Sequence, residues 1–162
     1  NNTGLINLSL EGNSLTSLDV SNNTLLTELR CNNNQLTALN LENNSALFEL
    51  WVHDNQLTSL DVSQTNLNIL SCGGNQLTYL NIKTLENQLN SFNAQNNSLT
   101  CIETLDPDWA SANWIENIDD GVTFEVICNS GGRTNWHVST AGSDVTGSGT
   151  LISPLSNIQT AA

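Results

Sequence analysis

Apolar and polar positions follow a fixed order along most of the chain. The pattern Leu-x-x-Leu-x-Leu-x-x-Asn-x-Leu recurs from Leu5 to Leu99, and its copies start ten or eleven residues apart. A longer period of twenty to twenty-two residues is marked by an asparagine ladder, Asn13, Asn34, Asn55, Asn75 and Asn97. A sister ladder lies between its rungs, at Asn23, Asn44 and Thr65. A short fixed period of this kind predicts a solenoid, in which each coil buries its apolar face against its neighbours.

Each copy also carries the signature of a short strand. Around Leu29, the side chains of Leu29 and Cys31 are expected to point inward, and those of Glu28, Arg30 and Asn32 outward. The ladder Asn follows the strand where the chain bends, and its amide can both donate to and accept from backbone groups of that bend. We therefore predict that the ladder asparagines are structural residues.

The segment LTELRCNNNQLTALNLENNSA resembles bacterial leucine-rich repeats of the nested class called IRREKO, whose unit is LxxLxLxxNxLxxLDLxxNxx. The resemblance implies that residues 1–100 form a leucine-rich repeat solenoid with short parallel strands, repeats of about 21 residues and few helices. Such solenoids are used mostly to recognise proteins or other ligands. Two departures are visible: Thr65 replaces an Asn, and residues 82–88 carry an insertion expected to bulge from one edge.

The cysteines fall into two pairs. Cys31 and Cys72 occupy inward positions two coils apart, about 10 Å at the usual strand spacing, which is too far for a disulfide, so both are predicted to be core thiols. Cys101 and Cys128 bracket the segment after the last repeat. Because the end of a solenoid exposes its core, we predict a disulfide between them that closes a C-terminal cap over residues 101–128. The alternative is that Cys101 and Cys128 are unbonded, buried thiols like the other two cysteines.

The segment 101–128 resembles the caps that follow such repeats in secreted proteins of the Bacteroidetes lineage. The run from Asp106 to Trp109 is typical of a helix start, since acidic groups are favoured at a helix N-terminus. Trp109 and Trp114 are predicted to cover the last coil.

The tail has no leucine ladder. Residues 129–135 are predicted to be a linker, because they contain the Gly131–Gly132 pair. Residues 136–162 resemble the opening of right-handed parallel β-helix domains of the pectin-lyase type, with a strand at Trp136–Ser139 and a GSDVTGSG loop from Gly142. A flexible tail rich in Gly, Ser and Thr is the alternative.

The composition limits which partners and which cellular compartment are expected for this chain. The net charge of -13 argues against nucleic acid or an anionic membrane as a partner. No run of eighteen apolar residues is present, so membrane insertion is not expected. The chain lacks Met, which indicates a processed protein or a piece of a larger one. High Asn and low Lys content favour a secreted or cell-surface protein.

Candidate chemistry is sparse. His53 and Asp54 are adjacent, so their side chains diverge on a strand, and no motif places a Ser to complete a triad. The His and Cys spacings fit no zinc site. Asp19 and Asp61 share an outward position but are separated by Asn40, which favours a solvated acidic row. We therefore expect no catalytic residues, no metal and no cofactor.

A binding face is predicted instead on the outward side of the main strands. Most outward residues are small and polar, but those in the middle of this face are larger. The predicted ligand-binding residues are Arg30, Trp51, His53, Ile69, Glu28 and Glu49. Trp and Arg are over-represented among residues that carry binding energy. The alternative is that one exposed aromatic is ordinary, and the opposite side around Tyr79 and Lys83 is then the second candidate face.

The sequence thus predicts a non-catalytic recognition or adhesion module that binds a protein or polysaccharide ligand. Two alternatives remain open. One is an accessory domain of a carbohydrate-active β-helix enzyme, and the other is a structural tile of a surface filament or layer, with self-association.

Overall fold

The repeats form two parallel sheets in the computed structural model, which describes residues 2–83 and 89–128. The main sheet contains five strands in the order β1 (Asn7–Ser9), β2 (Glu28–Arg30), β3 (Glu49–Trp51), β5 (Ile69–Ser71) and β7 (Ser91–Asn93). The second sheet contains β4 (Ser59–Asp61), β6 (Tyr79–Asn81), β8 (Cys101–Glu103) and β9 (Thr123–Glu125). Because the chain alternates between the two sheets from β3 to β8, the coils stack as a parallel-stranded solenoid.

The coil length follows from the register of the main sheet. The central residues pair in the series Leu8, Leu29, Leu50, Leu70 and Phe92, so successive coils differ by 21, 21, 20 and 22 residues. The prediction of repeats of about 21 residues is confirmed.

Leucine side chains from every coil fill one continuous core between the sheets. Leu29, Leu50 and Leu70 are fully buried at the strand centres, while their strand neighbours are half-buried. This pattern is expected when alternate residues of a strand face opposite sides. The core is therefore built by stacking identical positions, and each coil depends on the next for its burial.

The asparagine ladder satisfies the backbone at the bend after each main strand. The Nδ2 group of Asn55 donates to the carbonyls of Cys31 at 3.0 Å and Val52 at 3.1 Å. Its Oδ1 atom accepts from the N–H of Leu36, one coil earlier, at 2.9 Å. Asn34, Asn75 and Asn97 make the same type of contacts. Asn34, Asn55, Asn75 and Asn97 each tie their own bend to the preceding coil, whereas Asn13, in the first coil, bonds to the carbonyls of Leu10 and Glu11.

The residue before each ladder Asn adopts a left-handed backbone. These residues are Gly12, Asn33, Asp54, Gly74 and Asn96, with φ between 55° and 69°. Gly, Asn and Asp are the residues that tolerate this region best. The sequence of every bend is thus restricted by conformation as well as by hydrogen bonding.

The sister ladder is less regular. Asn44 is buried and its Nδ2 group donates to the carbonyls of Val20 and Asn23. At the next rung, the Thr65 hydroxyl donates to the carbonyl of Val62 at 2.6 Å. The Thr65 side chain therefore bonds within its own bend, whereas the Asn44 side chain bonds to the preceding coil.

The cap extends the second sheet and covers the core. Strand β8 pairs in parallel with β6, and β9 pairs in parallel with β8. Helix α1 (Pro107–Trp114) and a 3-10 helix (Ile115–Asn117) lie between these two strands in the chain. Asp106 caps α1 by accepting from the N–H of Trp109 at 2.9 Å, as the sequence predicts.

Aromatic rings close the end of the core. The Trp114 ring is buried 5.1 Å from that of Phe92 and 6.3 Å from that of Phe124, measured between centroids. Trp109 packs edge-on against Trp114 at 4.7 Å. The prediction that the two tryptophans cover the last coil is confirmed.

The predicted redox states are also those of the structure. Cys101 and Cys128 form a disulfide with their Cα atoms 5.7 Å apart. Cys31 and Cys72 are free and buried. The predicted cap is therefore closed by a covalent bond.

Some predictions fall outside the described residues. These are most of the insertion (residues 84–88), the linker at 129–135 and the β-helix-like tail at 136–162. In the part of the chain that is described, no helix is both long and apolar enough to cross a membrane.

Candidate ligand-binding face

The outward residues of the main strands form three rows across the solenoid, here called the main-sheet face. Strand by strand they are Asn7, Ser9 and Glu11; Glu28, Arg30 and Asn32; Glu49, Trp51 and His53; Ile69, Ser71 and Gly73; and Ser91, Asn93 and Gln95. Trp51 lies on the third of the five strands, at the centre of the face, as the sequence predicts. The parallel register fixes which side chains are neighbours.

The centre of the face is an arginine stacked on a tryptophan. The guanidinium carbon of Arg30 lies 4.2 Å from the centroid of the Trp51 ring. The Nε group of Arg30 also pairs with the carboxylate of Glu28 on the same strand. Arg30 and Trp51 are direct partners in the β2–β3 register, which explains their contact. A stacked and paired Arg side chain holds the indole in one orientation, so the face presents a preorganised aromatic surface.

His53, two residues beyond Trp51, forms a hydrogen bond with Ser71 of the neighbouring strand β5. The Ser71 hydroxyl and the Nδ1 atom of His53 are 3.1 Å apart, and the direction of the hydrogen bond depends on the histidine tautomer. A serine–histidine pair needs an acidic group on the second ring nitrogen to act as a triad. Asp54 does not supply it, since its backbone is left-handed and its carboxylate lies beside Gly74. The contact therefore positions the imidazole on the face.

Ile69 lies one row away from Trp51. The register places Ser71 opposite Trp51, whereas Ile69 lies between Glu49 and Ser91. The six predicted binding residues thus occupy three adjacent rows: Glu28, Glu49 and Ile69 in one, Arg30 and Trp51 in the next, and His53 in the third. All six are half-buried, since neighbouring side chains flank them on both sides.

Glu11 adds a second carboxylate near Arg30. Its pKa is held below the ordinary value, first by a backbone hydrogen bond, then by the Ser9 hydroxyl, with a further contribution from the positive charge of Arg30. Glu11 is therefore ionised at neutral pH. It belongs to the outward residues of the first coil, but it was not among the predicted binding residues.

The opposite side is more acidic. On the second sheet, Lys83 pairs with Glu103 at 2.9 Å, and Asn81 donates to Asp61 at 3.4 Å. Tyr79 is 37% exposed, and its pKa is raised by burial and then by the negative charges of Glu103 and Asp61. Because its single lysine is already paired, this side offers an acidic surface with a phenol at its centre.

Clefts of similar size lie at two places on the surface of the described residues. One, of about 360 Å³, lies beside Glu42 and Asp61 on the second-sheet side. The other, of about 340 Å³, lies between β7 and helix α1. The repeat pattern indicated neither cleft, and the second depends on the cap, which does not follow that pattern. Among the described residues, no group of three or more His, Cys, Asp or Glu side chains is arranged to hold a metal ion.

Comparison with known proteins supports the fold. No protein-family model matches the chain, and no curated protein matches it. Among solved structures, the chain is similar to one described as the functional domain of InlJ from Listeria monocytogenes, which includes a cysteine ladder. The two share 31% sequence identity, and the TM-score is 0.54 over 76% of this chain. The chain spans 31% of the length of the InlJ chain.

InlJ is a leucine-rich repeat protein, so this similarity and the parallel-stranded solenoid together confirm the predicted fold class. The fold is a leucine-rich repeat solenoid with a disulfide-linked C-terminal cap. The nested repeat class, the Bacteroidetes-type cap and the β-helix-like tail stay predictions.

Proposed function

We propose that this chain is a non-catalytic recognition module that binds a protein ligand on the main-sheet face. The observation that carries the proposal is the Arg30–Trp51 stack at the centre of the sheet. Half-buried Trp and Arg side chains surrounded by polar groups are typical of the residues that dominate binding energy. In this proposal Trp51 and Ile69 supply the apolar contacts, and Glu28, Glu49 and His53 supply the polar rim.

The proposed compartment is the cell surface or the outside of the cell. The Cys101–Cys128 disulfide supports it, because structural disulfides persist mainly in oxidising compartments. The similarity to the functional domain of InlJ supports a surface module as well. Cys31, Val52 and Cys72 occupy equivalent inward positions in three successive coils, so a valine separates the two buried cysteines.

The first test is the Trp51→Ala variant. Ligands are first identified by screening the full chain against arrays of extracellular proteins and of glycans. We expect Trp51→Ala to weaken binding to the identified protein by about 2 kcal/mol or more, measured by calorimetry. The fold should persist, because the indole points away from the core, and circular dichroism checks this.

Tyr79→Ala on the second sheet is the matched control, since it removes an aromatic side chain that is also partly exposed. It should bind like the unmodified chain. If Tyr79→Ala loses binding and Trp51→Ala does not, the ligand lies on the opposite side. Hits confined to the glycan array would favour the alternative of an accessory module for a carbohydrate-active enzyme.

The structural-tile alternative makes a different prediction. A tile should assemble with itself, so light scattering of the isolated chain would show a mass that grows with concentration. A constant monomer mass, together with saturable ligand binding, supports the recognition module.

A further inference from the structure

The cleft between β7 and helix α1 differs from the rest of the surface in its charge. Its volume is about 340 Å³, within the usual range for small-molecule sites. Among the described residues that line it, none carries a formal charge, although the chain has a net charge of -13. The cleft of similar size on the second-sheet side lies beside Glu42 and Asp61. The cap cleft is therefore suited to a neutral ligand.

One wall of this cleft comes from the cap. Trp109, Asn113 and Asn117 are spaced by four residues, so they follow one side of helix α1 and of the 3-10 helix after it. Trp109 is half-buried and lines the cleft, so part of an aromatic surface is accessible beside two amide side chains.

The other wall comes from β7. Ser91 continues the row of outward residues that contains Glu49 and Ile69, and Asn90 precedes it in the chain. Both Asn90 and Ser91 are exposed and line the cleft. The cleft therefore adjoins the last strand of the main-sheet face, two strands away from Trp51.

Polar groups on both walls are available to a ligand. Within residues 2–83 and 89–128, the side chains of Asn90, Ser91 and Asn117 have no hydrogen-bond partner in the protein. The Nδ2 group of Asn113 donates to the carbonyl of Trp109 at 2.8 Å, which leaves its Oδ1 atom to accept from a ligand. Amides and hydroxyls both donate and accept, so the two walls offer both kinds of group.

The backbone edge of β7 takes no part in this site. The N–H of Ala94 donates to the carbonyl of Asn117 at 2.9 Å, and the buried Trp114 ring lies 5.1 Å from the Phe92 ring. The cap therefore occupies the position of a further strand. A ligand of the cleft contacts the side chains at its mouth.

We propose that this cleft binds an uncharged sugar residue of a glycan. A pyranose ring carries hydroxyl groups that donate and accept, and C–H groups on its faces that pack against an aromatic ring. The amides of Asn90, Asn113 and Asn117 match the hydroxyl groups, and the Trp109 indole matches the apolar face. The net charge of -13 disfavours sugars that carry a carboxylate. This site is separate from the main-sheet face, and the proposal does not rest on that face.

The first test is NMR of the full chain with simple sugars as probes. These are the methyl β-glycosides of glucose, galactose, mannose and N-acetylglucosamine, with methyl β-glucuronide as the charged control. We expect at least one neutral glycoside to shift the indole N–H signal of Trp109 and the side-chain amide of Asn113, with a Kd of roughly 1–10 mM. The glucuronide should bind at least about threefold more weakly. No shift of the Trp109 signal at about 50 mM of every neutral glycoside, or equal binding of the glucuronide, would overturn the proposal.

The second test compares variants of the two walls. Asn90→Ala and Asn113→Ala should each weaken binding of that glycoside roughly three- to tenfold. Both residues are exposed, so the fold should persist, and circular dichroism checks this. Ser111→Ala, exposed on the same helix but outside the cleft, is the matched control and should bind normally.

Trp51→Ala separates this site from the main-sheet face, and it should leave sugar binding unchanged. Normal binding by both Asn90→Ala and Asn113→Ala would overturn the proposal. Loss of sugar binding in Trp51→Ala, with both cleft variants normal, would place the sugar on the main-sheet face instead.

Discussion

At the scale of single residues, the ladder asparagines show how one side chain stabilises two coils. Asn55 bonds to the bend of its own coil and to the backbone of the coil before it, and it is almost fully buried. Asn13, in the first coil, is exposed and bonds only to nearby carbonyls, those of Leu10 and Glu11. The same residue type therefore contributes different amounts at the two positions.

We expect Asn55→Ala to lower the free energy of unfolding by about 3 kcal/mol, because it leaves several buried backbone groups unpaired, each at a cost of about 1–3 kcal/mol. Asn13→Ala, the matched control, should cost about 1 kcal/mol or less, since water replaces its contacts. Urea unfolding measures both. Similar losses of stability for the two variants would show that burial does not determine how much a ladder asparagine stabilises the fold.

The buried thiols predict a dependence of stability on alkaline pH. Burial raises the pKa of the Cys31 and Cys72 thiols from 9.0 to about 12. Between pH 9 and 12 the unfolded chain loses these protons and the folded chain keeps them, so stability falls as pH rises.

We expect a loss of roughly 1 kcal/mol per thiol by pH 10, relative to a variant with both residues replaced by Val. Denaturant unfolding of the two proteins at pH 7 and pH 10 measures this difference. Subtracting the variant removes the contribution of Tyr79, whose pKa is also raised. Parallel pH profiles would contradict the assignment to the thiols.

At the scale of elements, no strand could be stable by itself. The strands contain three residues each, so their stability comes from the neighbouring coils. The cap is the element without a repeat partner on its outer side. Asp106 begins its helix, and the Cys101–Cys128 bond ties the start of β8 to the residues after β9.

We expect replacement of Cys101 and Cys128 by Ala to destabilise the protein by about 3 kcal/mol, because the bond closes a loop with a sequence separation of 27. Hydrogen exchange should accelerate first in β8, β9 and helix α1, while β2 and β3 stay protected. Uniform acceleration across the solenoid would show instead that the cap and the coils unfold as one unit.

At the scale of the whole molecule, the stacked repeats bury a single core and expose one face of each sheet. The described residues contain both sheets, the cap and its disulfide. The aromatic cluster of Phe92, Trp114 and Phe124 already covers the end of the core. The solenoid thus holds a complete set of packed elements before residue 129.

We therefore predict that a chain ending at Gly132 keeps the melting temperature of the full chain to within about 2 °C, a shift that corresponds to less than 1 kcal/mol. Differential scanning calorimetry of the two chains measures this. A large decrease would place residues 133–162 in the stabilising core and would refute the domain boundary drawn from the sequence.

The sequence by itself determined the periodic part of this protein. The Leu and Asn spacing defined the coil length, the inward positions and the structural ladder, because in a solenoid each of these depends only on contacts between adjacent coils. The position of Cys101 and Cys128 around the end of the repeats indicated the disulfide, and Asp106 with Pro107 indicated the helix start.

Only the tertiary structure decided the contacts that do not repeat. The register placed Ser71, and not Ile69, opposite Trp51, and it put the guanidinium of Arg30 over the indole. The cap, which breaks the period, accepts the Ala94 N–H through the Asn117 carbonyl and forms a cleft beside Phe92. Such features depend on how side chains and a non-repeating segment meet in space, which a one-dimensional pattern does not encode.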